Sequence, residues 1–342
     1  MDIKENISLK DYSTMRLGGQ ARWLAEAYEE NDIPVLIEWA KHQNVPFMVI
    51  GSGSNIVWRD EGFSGLVIVN KILGKQILNE DEDSATIHIA SGEIWDEVVG
   101  WTVEKSLSGI EFLSLIPGTT GAAPVQNIGA YGAELSNNLI EVGVYDDETN
   151  AFGSIIASQC GFGYRTSRFK KADKGRFIIT SITIKLSKKS PIPPFYESLK
   201  NYLSEHKISE LNSKVIRDAV MNIRSSKLPD PAEIANNGSF FTNPFIDQDQ
   251  FDSLKQKYPE VKGWPTKDGR IKLAAAWLVE EAGFKGVHDD ETGMSTWPTQ
   301  ALVLVNEHAK TTADLLSFKQ KIVDKVQELF GLTLEQEPEL LP

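Results

Sequence analysis

Two kinds of hydrophobic spacing alternate along the chain, and each predicts its own element. Asp32, with Pro34 in the first turn, opens a helix whose apolar positions run through Ile37, Trp39 and Ala40. A polar–apolar strand is expected before it at 21–25, behind the stretch DYSTMRLGG at 11–19. The run at 45–50 is nearly continuous in apolar residues and predicts a buried strand. Helix followed by strand in this way is α/β grammar. Strands are expected again at 66–70 and at 84–90, where SATIHIA alternates with the two-residue period of a half-buried strand. Apolar residues at 94, 98 and 101/102 predict a helix over 94–105, and further strands are expected near 140–145 and 176–184.

A break comes at SPIPP, 190–194. Beyond it Val215, Ile216, Ala219, Val220 and Ile223 trace a helical stripe that must stop at LPDP, 228–231, where a domain boundary is placed. The last third holds an expected helix over 271–281 closed by Gly283, and an expected strand at 301–305. The final helix is the clearest. Thr312 is its expected cap, Leu315, Phe318, Ile322, Val326 and Leu329 form its stripe, and Gly331 ends it.

One stretch departs from both periods. GIEFLSLIPGTTGAAPVQNIGAYGAEL, ending at Leu135, holds five glycines and two prolines and is charged only near its ends. Glycine permits positive φ and close backbone approach, and successive N–H groups in such turns cradle anions. A glycine-rich turn between strands satisfies the same letters, so this segment alone leaves both readings open. It is too apolar for a solvated linker, however, and a second glycine loop, GSGSN at 51–55, follows the apolar run 47–50. Two such loops suggest a long ligand bearing a diphosphate. The dinucleotide fingerprint of doubly wound folds is missing, since Ile56 stands where its third glycine belongs, and there is no GxxxxGK[ST] loop. A dinucleotide must be held another way.

Composition narrows the field further. With 342 residues, 41% of them hydrophobic, the chain can build two or three globular domains. A net charge of −13 argues against general binding to nucleic acid or anionic membrane. The single cysteine, Cys160, excludes an intramolecular disulfide, fits a reducing cytoplasm, and reads as a small buried hydrophobe. No signal peptide or membrane-span pattern is expected. His88 reads as structural, and HDDE at 288–291 as a polar loop, because no second histidine sits at ligand spacing. GYRTSRFKKADKGR at 163–176 carries six basic residues against one acid. It is either a solvated face or a local field that gathers an anion.

Five words, IGSGSN, IPGTTGAAPVQNIGAYG, GYRTSRFK at 163–170, NNGSFFTNP at 236–244 and EPE at 337–339, span nearly the whole chain. Together they resemble the UDP-N-acetylenolpyruvoylglucosamine reductases, FAD enzymes that complete UDP-N-acetylmuramate for bacterial cell walls. The resemblance implies an α+β architecture: the two-subdomain PCMH-type FAD-binding fold shared with vanillyl-alcohol oxidase, plus a C-terminal α+β substrate domain. The expected segments are 1–70 and 71–228 for the two FAD-binding subdomains and 229–330 for the substrate domain, with 331–342 returning to the active site. It implies non-covalent FAD held by Gly51, Ser52, Gly53, Ser54, Asn55, Pro117, Gly118, Gly121, Ala122, Gln126, Asn127, Gly129 and Ala130. NADPH is the implied reductant, UDP-N-acetylglucosamine enolpyruvyl ether the substrate, and a cytoplasmic monomer the expected state.

Roles follow from the same resemblance. The serine of NNGSFFTNP protonates the reduced substrate, which implies Ser239. A hydroxyl is a very weak acid and serves only against a strongly basic carbanion or enolate, the species that hydride addition to an enolpyruvyl group generates. Arg165 and Glu339 are implied as electrostatic stabilisers, and Tyr164, Tyr196, Lys227 and Asn243 as substrate contacts. One departure stands out. Relatives continue past the glutamate with a hydrophobic–Arg–hydrophobic strand, whereas here Leu341 occupies the arginine's place.

Two alternatives share parts of this pattern. A flavin oxidase often attaches its flavin through histidine, which GSGSN lacks, and a nucleotide-sugar binder has no need of the glycine loops. Non-covalent flavin is directly testable: the protein should purify yellow, and acid precipitation should release all flavin into the supernatant. Colour retained in the pellet would contradict it.

Overall fold

The computed structural model describes residues 2–342, which divide into two compact units. The first runs up to Ile7 and takes in Ala21–Ser52 and Phe63–Ser226; the second takes Ser8–Gln20, Gly53–Gly62 and Lys227–Pro342. The compact units are thus cut differently from the expected segments. Most of 1–70 and of 71–228 falls in one unit, and the chain changes unit inside GSGSN, between Ser52 and Gly53.

In the first unit, the helix Asp32–His42 links the strand Gln20–Ala27 to Phe47–Ile50. Both strands run parallel to Phe63–Asn70 between them, with Trp23 and Phe47 flanking Leu66 on its two sides. A parallel pair needs a crossover of this length, and a strand paired on both edges is buried almost throughout, hence the run LVIV at 66–69. A five-stranded antiparallel sheet follows, ordered Ala151–Ile156, Leu139–Asp146, Phe177–Ser187, Ser84–Ala90 and Lys75–Glu80. SATIHIA alternates as its letters require, burying Ala85, Ile87 and Ile89. These pack with Val142, Val144, Ile182 and Ile184 beneath the helix Trp95–Glu104, whose Trp95, Val98 and Val99 face them. Tyr145 and Ile178 instead join the core of the parallel sheet.

A helical hairpin, Glu197–Glu205 and Ser213–Lys227, closes the first unit. The stripe Ile216, Ala219, Val220 and Ile223 buries against Leu199 and Leu203, two positions too few to show a helical period in sequence.

The second unit holds a sheet ordered Asn236–Ser239, Gln300–Asn306, Met294–Trp297 and His288–Asp289. Its core gathers Phe240, Phe241, Leu278, Leu315, Phe318, Ile322 and Val326. Two local expectations need correction here. The helix expected over 271–281 starts only at Ala275, because Ile271–Leu273 is the middle strand of a small sheet with Phe245–Ile246 and Gly263–Pro265. The final helix is capped by Thr311 rather than Thr312. Thr311 Oγ1 accepts from the Asp314 N–H while Asp314 accepts from the Thr311 N–H, a reciprocal capping box. Thr312 is buried, its hydroxyl donating to the Trp58 carbonyl. Gly331 ends the helix at φ 69, as expected. The chain then runs on to the strand Glu339–Leu341, parallel to Ile56–Trp58.

Cys160 sits in the core under the antiparallel sheet with no exposed surface, and burial pushes its thiol from 9.0 up to about 11. The native thiol should therefore alkylate at least about a hundred-fold more slowly at pH 8 than the thiol of the unfolded chain. Since the folded value is raised, any stability this group contributes persists below pH 9 and is lost as pH rises towards 11. Iodoacetamide labelling with and without denaturant checks the first statement, and equal rates would overturn it.

Candidate active site

The two glycine loops meet within the first unit. A Cβ on Gly51 would lie 2.3 Å from Thr119 Oγ1, so the loop after Phe47–Ile50 passes the second glycine segment at a distance no side chain allows. Thr119 is held by a bridge to Ile94, and the N–H groups of Thr120 and Gly121 donate to the carbonyls of Glu93 and Ser91. Those two amides are committed to the chain itself. Gly118 takes φ 123, a value side chains resist, and its carbonyl accepts from the Trp95 N–H. Pro117, Ala122, Gln126 and Ala130 lie along the same segment.

Downstream, Gly129–Ala130 pairs with Ala133–Glu134 across a two-residue turn in which Tyr131 and Gly132 both take positive φ, 51 and 83. Asn127, buried, stitches the base of this hairpin. Its Nδ2 donates to Glu134 and to the Gly163 carbonyl, and its Oδ1 accepts from the Ser136 N–H. Gly163 and Thr166 exchange backbone hydrogen bonds, leaving Tyr164 and Arg165 as the two residues of a tight turn, Arg165 at φ 51. Arg165 Nη2 donates to the Gly129 carbonyl at 2.7 Å, and its guanidinium lies 5.5 Å over the Tyr164 ring. Two other members of the basic run have acidic partners: Arg168 pairs with Asp173, and Arg176 with Asp146 and Glu148. The Arg176 hydrogen bond holds the Asp146 carboxyl down to about 2. The positive field of 163–176 is correspondingly narrower than its letters suggest.

Two residues passed over in sequence stand beside expected ones. Tyr131 packs edge-on against Tyr196, ring centres 6.1 Å apart. Arg224, on Ser213–Lys227, is lowered in pKa by burial and lies close enough to Tyr131, Asp96 and Arg165 for their charges to act on it. Tyr131 carried a signal, its place in a turn before glycine. Arg224 carried none, being one arginine on a helix.

In the second unit, Asn236–Ser239 is an edge strand bulged between Asn236 and Ser239, where Gly238 takes φ 70. Space beside Gly238 is open, since an added Cβ meets nothing within 4 Å. Phe240 and Phe241 are fully buried and anchor the next two residues. The Phe240 carbonyl accepts from the Glu337 N–H, the Thr242 N–H donates to Glu335, and Phe241 bridges Gln336 in antiparallel sense. That ladder ties Phe240, next to Ser239, to Glu337, two residues before Glu339. The Glu339 N–H donates to the Asn55 carbonyl. Asn237 Nδ2 donates to Thr14 Oγ1 and to the carbonyls of Ser54 and Ile56. Ser54, Asn55, Asn237, Ser239 and Glu339 are thus drawn together by one unit's own ladders.

Other expected residues have structural duties. Asn243 Oδ1 accepts from the N–H of Ala275, the first residue of a helix, and the Lys227 carbonyl accepts from Thr299 Oγ1 while its side chain is exposed. Leu341 is buried in the last strand, which forms without an arginine at that position.

Loops that meet where only glycine fits, continuing into hydroxyl- and amide-bearing residues, suit a long flavin dinucleotide. The architecture is that of an FAD-dependent oxidoreductase, an FAD-binding region followed by a C-terminal α+β domain. Residues 22–150 match the family described as FAD binding domain, and residues 230–341 match UDP-N-acetylenolpyruvoylglucosamine reductase, C-terminal domain. Whole-chain relatives agree. The chain is 37% identical to the UDP-N-acetylenolpyruvoylglucosamine reductase of Pseudomonas aeruginosa over 99% of both chains. It is 39% identical to that of Burkholderia multivorans, covering 96% of this chain and 94% of the relative. The crystal structure of the Thermus caldophilus UDP-N-acetylenolpyruvylglucosamine reductase superposes with a TM-score of 0.69 over 100% of both chains at 23% identity, a likeness of fold. The chain belongs to the UDP-N-acetylenolpyruvoylglucosamine reductase family.

The glycines make a prediction in which fold and flavin part company. A Cβ on Gly53 would lie 2.1 Å from the Tyr12 carbonyl oxygen, and one on Gly121 2.6 Å from Ser91 Cβ, so the protein itself fills the space. Gly53→Ala and Gly121→Ala should therefore destabilise even the flavin-stripped protein, by about 1–3 kcal/mol. Thermal unfolding of the stripped variants measures this. Unchanged unfolding with lost flavin would assign the space to the cofactor instead.

Proposed function

We propose that this chain reduces UDP-N-acetylglucosamine enolpyruvyl ether to UDP-N-acetylmuramate, using NADPH and bound FAD, as a step in peptidoglycan precursor synthesis. Membership of the family, over its full length, supports the reaction. The observation that supports the chemistry is the antiparallel ladder between Phe240–Thr242 and Glu335–Glu337, which ties the neighbour of Ser239 to the segment that leads into Glu339. Bound FAD, held by the two glycine segments, would supply hydride transfer from NADPH to an alkene carbon activated by a carboxylate.

The protein's residues then handle charge and one proton. The proposed role of Ser239 is to donate its hydroxyl proton to the carbon next to the carboxylate as negative charge builds there. A serine can do this only because the acceptor is so basic, and the bulge at Gly238 leaves room beside it. Arg165, aimed from a two-residue turn and steadied by the Gly129 carbonyl, is the proposed partner for the substrate carboxylate, and Glu339 a fixed charge near the reacting centre. Tyr164, Tyr196, Lys227 and Asn243 are proposed to hold the sugar nucleotide. Asn243 Oδ1 already serves Ala275, which leaves that task to its amide nitrogen. FAD is assigned to the residues of the two glycine segments, 51–55 and 117–130.

A cytoplasmic monomer is the proposed state. No described helix is long and apolar enough to cross a membrane, and a net charge of −13 disfavours self-association and general binding to nucleic acid or anionic membrane.

Separating the half-reactions tests the role of Ser239. Reduction by NADPH needs no proton donor aimed at a substrate carbon, whereas reoxidation by the enolpyruvyl substrate does. Ser239→Ala should bleach its flavin with NADPH at nearly the unmodified rate and then reoxidise about 10²–10⁴-fold more slowly. Ser239→Cys should recover part of that loss. Stopped-flow absorbance follows both steps, and equal slowing of the two would remove Ser239 from the proton transfer.

A further inference from the structure

The second glycine segment enters its loop through Leu115, a bulky residue at φ 55, in the left-handed region that a Cβ disfavours. Such a conformation persists only where the surroundings impose it. Here both of its backbone polar groups are held by charged side chains. The Leu115 N–H donates to Asp96 Oδ1 at 2.6 Å, and its carbonyl accepts from Arg224 Nη2 at 3.2 Å.

Asp96 lies in the first turn of Trp95–Glu104 and is gripped in turn by Arg217. Nη1 donates to Oδ1 at 2.7 Å and Nη2 to Oδ2 at 2.9 Å, a bidentate pair. The same Nη1 reaches Ser114 Oγ at 2.9 Å, and that hydroxyl passes its own hydrogen to the Glu111 carbonyl. Only 14% of the Arg217 side chain and 25% of the Asp96 side chain are exposed, so water screens the pair weakly. Arg217 and Arg224 stand seven residues apart on Ser213–Lys227, about two turns of helix, and therefore share a face. That face grips Leu115 through its carbonyl directly and through its N–H by way of Asp96.

We propose that Arg217 and Asp96 form a positioning pair for the flavin: they keep Leu115 left-handed and thereby aim the 117–121 loop at the cofactor. The inference rests on the reading of that loop as a flavin-binding segment. Several of the loop's other ties run to the turn that carries Asp96 and to the residues just before it: Gly118 accepts from Trp95, the neighbour of Asp96, Thr119 bridges Ile94 and abuts Gly51, and the Thr120 and Gly121 amides donate to Glu93 and Ser91. A change in the Asp96 turn is passed on to Gly118 and Thr119. Lysine at 217 supplies the charge without the planar fork, and glutamine supplies neither.

The test follows flavin release from the purified holoprotein after dilution, read as the rise in flavin fluorescence, beside its thermal unfolding. Arg217→Gln should release flavin about ten- to a hundred-fold faster, with Arg217→Lys between it and the unmodified protein. Leu115→Gly in the Arg217→Gln background should restore part of the retention, because without a Cβ the left-handed conformation no longer carries a steric cost that the clamp must offset. A lowered melting temperature with unchanged release, or no recovery from Leu115→Gly, overturns the proposal. Arg217→Lys keeps the measurement possible if the glutamine variant does not fold. Gly118→Val separates the two levels of inference. Unchanged release there means the loop does not hold flavin. Fast release there with unchanged release in both Arg217 variants defeats the positioning pair alone.

Discussion

Close passage of the backbone past itself is the constraint on which the rest of this structure depends. At Gly51 the obstacle is the Thr119 side chain, at Gly53 the Tyr12 carbonyl, and at Gly121 the Ser91 side chain. In each case a single carbon would overlap atoms already present. Both loops expected to hold a dinucleotide are shaped by this self-contact. Preorganisation of that sort is what a binding site needs if ordering the loop is not to be charged against affinity.

The second unit reaches the same end by hydrogen bonds. The tail after Gly331 could have been disordered, as short terminal stretches commonly are. It is tied at Glu335 and Glu337 to the segment after Ser239, and at Glu339 to Asn55. Asn237 closes the arrangement with a single amide nitrogen placed among three oxygens. The ties at Glu335, Glu337 and Glu339 include backbone-to-backbone bonds, so the course of the tail past Ser239 is set in part by the main chain itself.

What could be read from the letters was what local periodicity controls. SATIHIA alternates and is a strand; the stripe from Leu315 to Val326 is a helix; the glycine words mark both loops. Failures occurred where two local signals overlapped. Ile271 precedes Ala275 by one helical turn, so a three-residue strand running into a helix mimicked a longer helix. Thr311 and Thr312 are adjacent, and only the geometry tells which one caps. Residues that act at a distance left no trace at all. Arg217 meets Asp96 across 121 residues of chain, and neither spacing nor composition announces such a pair. The division of GSGSN between two units was equally hidden, because it belongs to contacts and not to order along the chain.

The last strand has a consequence for how such a site can change over time. Glu339–Leu341 is held to Ile56–Trp58 by its main chain, and Leu341 fills its position with an apolar side chain where relatives are expected to carry a cation. Location and chemistry are therefore inherited separately at this edge. The group at 341 can be exchanged while the neighbouring glutamate stays where it was. The ladder acts as a mounting rail: what is fastened to it is open to drift, and the rail is not.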